Sequence, residues 1–169
     1  VSASLTANNL TLHLNDLFRV RQDLALHDGE AAPIVLTAFT RMSLDVDGGV
    51  GTPIEPVFID TASLDATTAG GGVYLVELDG VNLAAIDTNG GSFELMNLTG
   101  LLEISGLVEA NGGDIVLTTD LIDVQADVRS WFGDATGGDP THRGALLLQP
   151  LNRFSKIGIS DDATFGPVL

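Results

Sequence analysis

The sequence GGGVYL at residues 70–75 returns as GGSFEL at residues 90–95 and as GGDIVL at residues 112–117. Counted from the first glycine of each copy, the spacings are 20 and 22 residues. The same two positions of every copy are apolar; they hold Val73, Phe93 and Ile115, and then Leu75, Leu95 and Leu117. Fixed periods of this size are typical of solenoids, in which one coil buries its apolar side chains only when another coil stacks on it.

A glycine pair opens each copy and predicts where the chain turns. Glycine adopts positive φ angles at no steric cost, which the tight corner of a coil requires. Asparagine precedes two of the pairs, and stacked asparagine side chains form ladders because each amide both donates and accepts hydrogen bonds. The repeat residues predicted in this way are Gly70, Gly71, Asn89, Gly90, Gly91, Asn111, Gly112 and Gly113.

The rest of the sequence also favours β-structure. Residues 10–14 alternate apolar and polar side chains, and short runs of this kind recur between Gly, Asn and Asp. We therefore predict an all-β fold with little or no helix, a parallel β-solenoid with about 20–22 residues per coil. The alternative, a β-sandwich, has antiparallel turns every 8–12 residues and no columns of like residues. The aligned repeats favour the solenoid.

The same alignment extends around the coil and beyond the middle of the chain. It pairs Leu78 with Leu98 and Val81 with Leu101. The sequence IVLT at residues 34–37 recurs at residues 115–118, which is 81 residues later and close to four coils. We therefore expect a single solenoid domain over residues 1–169.

Two stretches break the period and predict loop insertions near residues 48–56 and 130–143. The first contains two prolines, which do not fit inside a continuous sheet. The second contains the only tryptophan, Trp131, together with His142 and Arg143. Insertions in repeat proteins often form the binding face. These three residues are the predicted ligand-binding site, with surface glycans as candidate partners.

Charge and composition exclude several classes of protein. Seven basic and 23 acidic residues give a net charge of −16, which repels nucleic-acid phosphates, so no nucleic-acid partner is expected. Cysteine is absent, and no apolar run reaches the 18 residues of a transmembrane helix. The sequence starts at Val1 without a methionine or a signal-peptide pattern. We interpret it as a segment excised from a longer chain.

Acidic residues provide two candidate cation sites. Asp45-Val46-Asp47-Gly48-Gly49 resembles the start of a calcium-binding loop, but the glutamate that would complete an EF-hand is missing. Asp45 and Asp47 are thus metal candidates, with solvated turn residues as the alternative. Asp87 and Glu109 also fall in one column of the repeat and would repel each other unless they splay apart or share a cation. No cofactor is expected, although the sequence does not exclude a bound calcium ion.

No pattern of catalytic residues emerges. His13, His27 and His142 are dispersed, and none lies at a spacing that pairs it with a nucleophile or completes a metal site. We therefore do not expect an enzyme.

The repeat of two glycines, an apolar residue two positions later and a leucine two after that resembles the filamentous-haemagglutinin-type repeats of large bacterial surface adhesins. Residues 5–12 and 145–159 resemble stretches between such repeats. The resemblance implies a right-handed parallel β-helix, secretion, and service as a long shaft or filament. The strong acidity and the Trp131 loop depart from that pattern.

Together these observations predict a non-catalytic structural segment of a secreted bacterial adhesin or extracellular filament. Its coils would stack into a rigid acidic shaft that meets flanking repeats, or another copy of itself, end to end. The alternative is a carbohydrate-active or carbohydrate-binding β-helix, similar to polysaccharide lyases, that uses the Trp131 loop to stack on sugar rings. Both functions place the protein outside the cell or at its surface.

Overall fold

The computed structural model describes residues 5–16, 18, 34–130, 144–152 and 158–159, and this part of the chain is all-β. It contains no helix with the length and hydropathy needed to cross a membrane. The strands are β1 (Leu5–Leu14), β2 (Val35–Val46), β3 (Val57–Thr61), β4 (Ser63–Thr67), β5 (Val73–Glu77), β6 (Val81–Asp87), β7 (Phe93–Asn97), β8 (Leu102–Ile104), β9 (Val108–Glu109), β10 (Ile115–Thr118), β11 (Leu121–Val124), β12 (Val128–Arg129), β13 (Leu146–Gln149) and β14 (Gly158–Ile159).

The strands form parallel ladders on the successive faces of a coil. One ladder runs β2-β3-β5-β7-β10-β13, the second runs β2-β4-β6-β8-β11-β14, and the long β2 contributes to both. A short third face pairs β6 with β9 and β9 with β12. Every pair of these strands is parallel, as stacked coils require, whereas a β-sandwich is built from antiparallel sheets. The predicted parallel β-solenoid is confirmed.

The four central coils have similar lengths. Residues that stack directly on each other are separated by 23, 18, 20 and 22 positions in the pairs Leu36 and Ile59, Val57 and Leu75, Leu75 and Leu95, and Leu95 and Leu117. The predicted 20–22 residues describe the last two of these steps, and the other two are slightly shorter or longer. At the ends the steps lengthen, since Leu148 stacks on Leu117 after 31 positions.

Stacked aliphatic columns fill the interior. Val73, Phe93 and Ile115 pair in register, as do Leu75, Leu95 and Leu117, which confirms the two columns predicted from the repeat. Each of these side chains is at most 2% exposed. Burial of such side chains stabilises a fold by about 25 cal/mol per Å² of apolar surface, so these columns provide much of the driving force for stacking.

Two predicted alignments are wrong because turn lengths differ between coils. Val81 pairs with Leu102 rather than with Leu101, since the turn that follows Asn97 holds one residue more than the turn that follows Glu77. The repeated IVLT sequence is also out of register. Leu36 stacks on Ile59, and Ile59 stacks on Glu77. Glu77 comes two positions after Leu75, whose column contains Leu117, so Leu36 and Leu117 belong to different columns.

The two glycines of a pair have different roles, as the central copy illustrates. Gly90 has a φ of 105°, and nothing lies within 4 Å of the place where a Cβ would be. Gly91 lies where successive coils touch, and a Cβ there would be 2.3 Å from the carbonyl oxygen of Gly71. The buried Thr88 hydroxyl donates a hydrogen bond to the Gly91 carbonyl and so ties the corner together. The first glycine allows the turn, and the second allows the close approach of the coils.

The stretch at residues 48–56 belongs in part to the coil. Val50 is buried and bridges both Phe18 and Val73 in the parallel stack. The chain then leaves the stack in a tight turn closed by Thr52 and Glu55, and Val57 resumes pairing opposite Leu75. The excursion itself therefore comprises residues 52–56. Residues 131–143, most of the other predicted insertion, lie outside the described residues.

Candidate functional site

A polar column lies inside the solenoid, next to the leucine column. Glu77 and Asn97 stack in register at the ends of β5 and β7, and both are buried. The Asn97 amide donates to the Gly100 carbonyl over 3.1 Å and to the Thr119 hydroxyl over 3.3 Å. These residues lie at the corner where the chain passes from the first strand ladder to the second. A charged residue at such a position needs compensation.

Glu77 is incompletely compensated. Its side chain is 0% exposed, and its Oε1 accepts long hydrogen bonds of 3.4 Å from the backbone N–H groups of Thr61 and Asp79. Its Oε2 is buried and has no hydrogen-bond partner. Burial raises the pKa of Glu77 to about 8, because removal from water disfavours the charged form more than the backbone donors favour it.

Two further carboxyl groups, those of Asp60 and Asp79, lie close to that of Glu77. One oxygen from each of Asp60, Glu77 and Asp79 lies within 4.8 Å of the other two, and within the described ranges no other acidic or histidine group forms such a cluster. Asp60 is half-buried on β3, whereas Asp79 is exposed in the turn between β5 and β6. Burial, and then the negative charge of Asp79, raise the pKa of Asp60. Three carboxyl oxygens gathered in this way form a potential cation site, because a bound cation would favour the ionised form of each group.

The sequence pattern does not reveal this cluster, although it does place Glu77 inside the coil. Strand alternation directs Val73 and Leu75 inward and therefore directs Glu77 inward as well. Nothing local links Asp60 to Glu77, since they lie on neighbouring coils and meet only through the stacking of β3 on β5.

The predicted metal candidates lie elsewhere. Oδ2 of Asp45 is 2.6 Å from Nδ1 of His13, near the solvent, and Asp47 is exposed in the turn after β2. Neither belongs to the three-carboxylate cluster. The candidate ligand-binding residues Trp131, His142 and Arg143 are outside the described residues.

The acidic column found in the repeat is confirmed, but the amide ladder takes a different form. Asp87 stacks on Glu109 as predicted, and Thr67 stacks on its other side. Its Oδ1 accepts hydrogen bonds from the Asn89 backbone N–H at 2.9 Å and from the Asn111 amide at 3.3 Å. Thus the Asn111 side chain donates to Asp87, and no Asn89–Asn111 side-chain bond occurs in the described part of the chain. The positive φ angles of both asparagines, 46° and 50°, fit their place in the corner.

A shallow groove lies on the outer surface of β5, β7 and β10, beside the 52–56 excursion. Tyr74, Glu94, Met96 and Val116 contribute to its wall, and its volume is about 140 Å³. Small-molecule sites usually enclose about 300–1,000 Å³, so this groove is small for an enclosed active site. Burial, and then the charge of Asp114, raise the pKa of Glu94. The groove thus pairs the aromatic ring of Tyr74 with the carboxyl group of Glu94.

The raised pKa of Glu77 predicts that stability falls as the pH rises. The unfolded chain releases this proton near pH 4.5 and the folded chain near pH 8. Stabilisation is therefore complete below pH 4.5 and is lost as the pH rises to about 8, at up to about 1.4 kcal/mol per pH unit. Urea unfolding in the presence of a chelator should show this slope, and Glu77→Gln should flatten it. Equal slopes in the two proteins would contradict the assignment.

The stacked register and the apolar interior define the class of this protein as a parallel β-solenoid. Comparison with protein-family models, with curated proteins and with solved structures finds no match to the chain in any of the three. The assignment of the class therefore rests on the pairing of the strands.

Proposed function

We propose that the chain is a non-catalytic structural segment of a secreted bacterial surface adhesin or extracellular filament. The observation that carries the proposal is the uninterrupted parallel stacking of strands from β1 to β13 around an apolar core. Such a body resists bending because each coil is hydrogen-bonded to the next along its length. The net charge of −16 keeps the surface of the shaft soluble. The resemblance of the glycine repeat to filamentous-haemagglutinin-type repeats supports the same function.

The ends of the stack supply the means of assembly. Among the described strands, β1 pairs only with β2, and β13 pairs only with β10. Each of the two strands therefore has one edge that pairs with no described strand. An open strand edge is a template for pairing with another chain. Leu5 on β1 and Leu146 on β13 are about half exposed, at 48% and 47%. These features support end-to-end contact with flanking repeats or with a second copy.

End-to-end assembly predicts self-association of the isolated chain. Sedimentation velocity should reveal larger species whose proportion rises with protein concentration, because head-to-tail contacts that do not close form filaments. Leu5→Lys and Leu146→Lys should reduce this association, since charge on an edge strand opposes pairing. Leu107→Lys changes an equally apolar residue, 40% exposed, in the middle of the stack and should leave the association unchanged. A strictly monomeric parent protein at high concentration would contradict self-assembly.

The outer groove favours a second function, a carbohydrate-active or carbohydrate-binding β-helix. Tyr74 and Glu94 are direct register neighbours on its surface. Trp131, which lies outside the described residues, is the aromatic residue that the sequence offers for the same function. Incubation with neutral and anionic polysaccharides, followed by assays for reducing ends and unsaturated products, separates this function from the structural one. Product formation that Glu94→Gln abolishes would establish catalysis, and binding that Tyr74→Ala weakens would establish a lectin-like role.

A further inference from the structure

We propose that Asp60, Glu77 and Asp79 bind one calcium ion at the corner between two successive coils. The proposal does not depend on the biological role of the shaft. It assigns the ion to residues that the repeat pattern does not mark, rather than to the Asp45–Asp47 turn. Three observations carry it: the unpartnered oxygen of Glu77, the short distances between the three carboxylates, and the pairing of the described arginines with other acidic residues.

The first observation is the buried Oε2 of Glu77. A fully buried carboxylate without a partner on one oxygen costs free energy, because water no longer solvates it. The remaining oxygen has two long hydrogen bonds, which satisfy it only in part. A cation bound by the Glu77 carboxylate would add a favourable partner and would offset the loss of hydration.

The second observation is the spacing of the ligand atoms. Calcium binds oxygens at about 2.3–2.6 Å, so two oxygens on the same ion are at most about 5 Å apart. The three carboxylate oxygens lie within 4.8 Å of one another and meet this condition. The absence of histidine from the cluster disfavours zinc. Asp79 is exposed, so water can complete the coordination sphere from the outer side.

The third observation is that no basic side chain in the described ranges is left to balance this cluster. The two arginines described there pair with other carboxylates, Arg41 with Asp65 at 2.5 Å and Arg129 with Asp127. Ionisation of all three acidic groups would therefore place three negative charges side by side with no basic side chain of the described ranges to balance them. A divalent cation would remove that repulsion and would link β3 of one coil to β5 and the turn of the next.

The neighbouring coils predict a stoichiometry of one. Asn97 takes the place of Glu77 in the following coil, and its amide bonds to Gly100 and Thr119 instead of facing a second carboxylate. The Asn97 carbonyl oxygen, Oδ1, is also buried without a hydrogen-bond partner among the described residues, but the amide carries no charge and no carboxylate cluster found there includes it. The charge is thus confined to one level of the stack.

Calorimetric titration of chelator-treated protein at pH 7.5 tests the proposal with calcium chloride as the probe. We expect one calcium per chain, at least tenfold weaker binding of magnesium, and a rise in Tm of about 5 °C or more at a calcium concentration 100 times the Kd. Glu77→Gln should abolish both the binding and the calcium-dependent rise in Tm. Because it replaces a buried carboxyl group by an amide of the same shape, it should retain the far-ultraviolet β-sheet spectrum.

Asp60→Asn provides a second variant, and the double change Asp45→Asn with Asp47→Asn provides the matched control. Asp60→Asn should weaken calcium binding at least tenfold, whereas the control should bind as the parent does. The proposal is overturned if millimolar calcium does not bind, if Glu77→Gln binds as tightly as the parent, or if the Asp45–Asp47 variant loses the site. If calcium does not bind, the proposed structural function is unaffected. If the protein binds calcium but is strictly monomeric, self-assembly fails and the calcium site stands.

Discussion

Leu95→Asp is expected to unfold the central coils. Leu95 is 1% exposed and stacks between Leu75 and Leu117, so the aspartate carboxylate would lie between two leucines with no donor or cation beside it. Removing a buried leucine side chain costs about 2–5 kcal/mol, and an unpaired buried charge adds to this. The expected loss exceeds about 4 kcal/mol, a large share of the 5–15 kcal/mol stability of an ordinary domain.

Thermal and urea unfolding followed by circular dichroism measure this loss, and Met96→Asp is the matched control. Met96 is the next residue of β7, and it faces outward with 41% exposure. The same chemical change there should alter the free energy of unfolding by less than about 1 kcal/mol. Similar melting of Leu95→Asp and the parent would mean that the column assignment is wrong.

Gly91→Ala is expected to disrupt the stack at the corner of the coil. The new Cβ would lie 2.3 Å from the Gly71 carbonyl oxygen, and backbone atoms cannot move aside as the end of a long side chain can. Two coils would have to separate, with loss of the hydrogen bonds between them. We expect a loss of about 3 kcal/mol, the upper end of what overpacking costs.

Gly90→Ala separates the effect of close packing from that of backbone conformation. The two positions are adjacent, but a Cβ on Gly90 meets no atom within 4 Å, and only its φ of 105° opposes alanine. The expected loss is about 1–2 kcal/mol, typical of a left-handed backbone conformation at a residue with a Cβ. A larger loss for Gly90→Ala than for Gly91→Ala in equilibrium urea unfolding would contradict the close approach of the coils.

The central repeat could be predicted from sequence because its constraints are local. Each coil must place a turn and two inward apolar residues at fixed distances, so Val73 and Leu75 recur as Phe93 and Leu95. Stacking then follows from the need to bury those residues. Parallel pairing and a coil of about 20 residues were accessible for this reason.

The register of the strands that follow a corner could not be predicted from the sequence. The number of residues in the turn differs between coils, while the glycine repeat itself stays the same. One additional residue between Asn97 and Leu102 moves Leu101 outward, where it is 40% exposed. The identical IVLT sequences are misaligned for a related reason, since the lengths of four unequal coils add up to two residues more than the spacing suggests. A pattern of side chains alone does not reveal where a corner absorbs a residue.

The acidic cluster could be predicted only in part. Alternation along β5 places Glu77 inside the coil, but the partners depend on stacking, because Asp60 comes from the preceding coil. Asp79 looks like a solvated turn residue in the sequence, and it remains exposed in the structure. The site arises from the meeting of a strand, a turn and a neighbouring strand, and none of these is unusual by itself.

Disulfide formation between engineered cysteines tests the stacking of coils most directly, since the chain has no cysteine of its own. Asn82 pairs with Glu103, and Glu103 pairs with Asp123, on one outer face. Neighbouring strands lie about 4.8 Å apart, within the range that a disulfide spans, whereas residues two coils apart are separated by about 10 Å. A parallel solenoid predicts rapid oxidation of the Asn82→Cys/Glu103→Cys and Glu103→Cys/Asp123→Cys proteins and no disulfide within the Asn82→Cys/Asp123→Cys chain. Efficient oxidation of the last pair, or failure of the first two, would contradict the parallel solenoid.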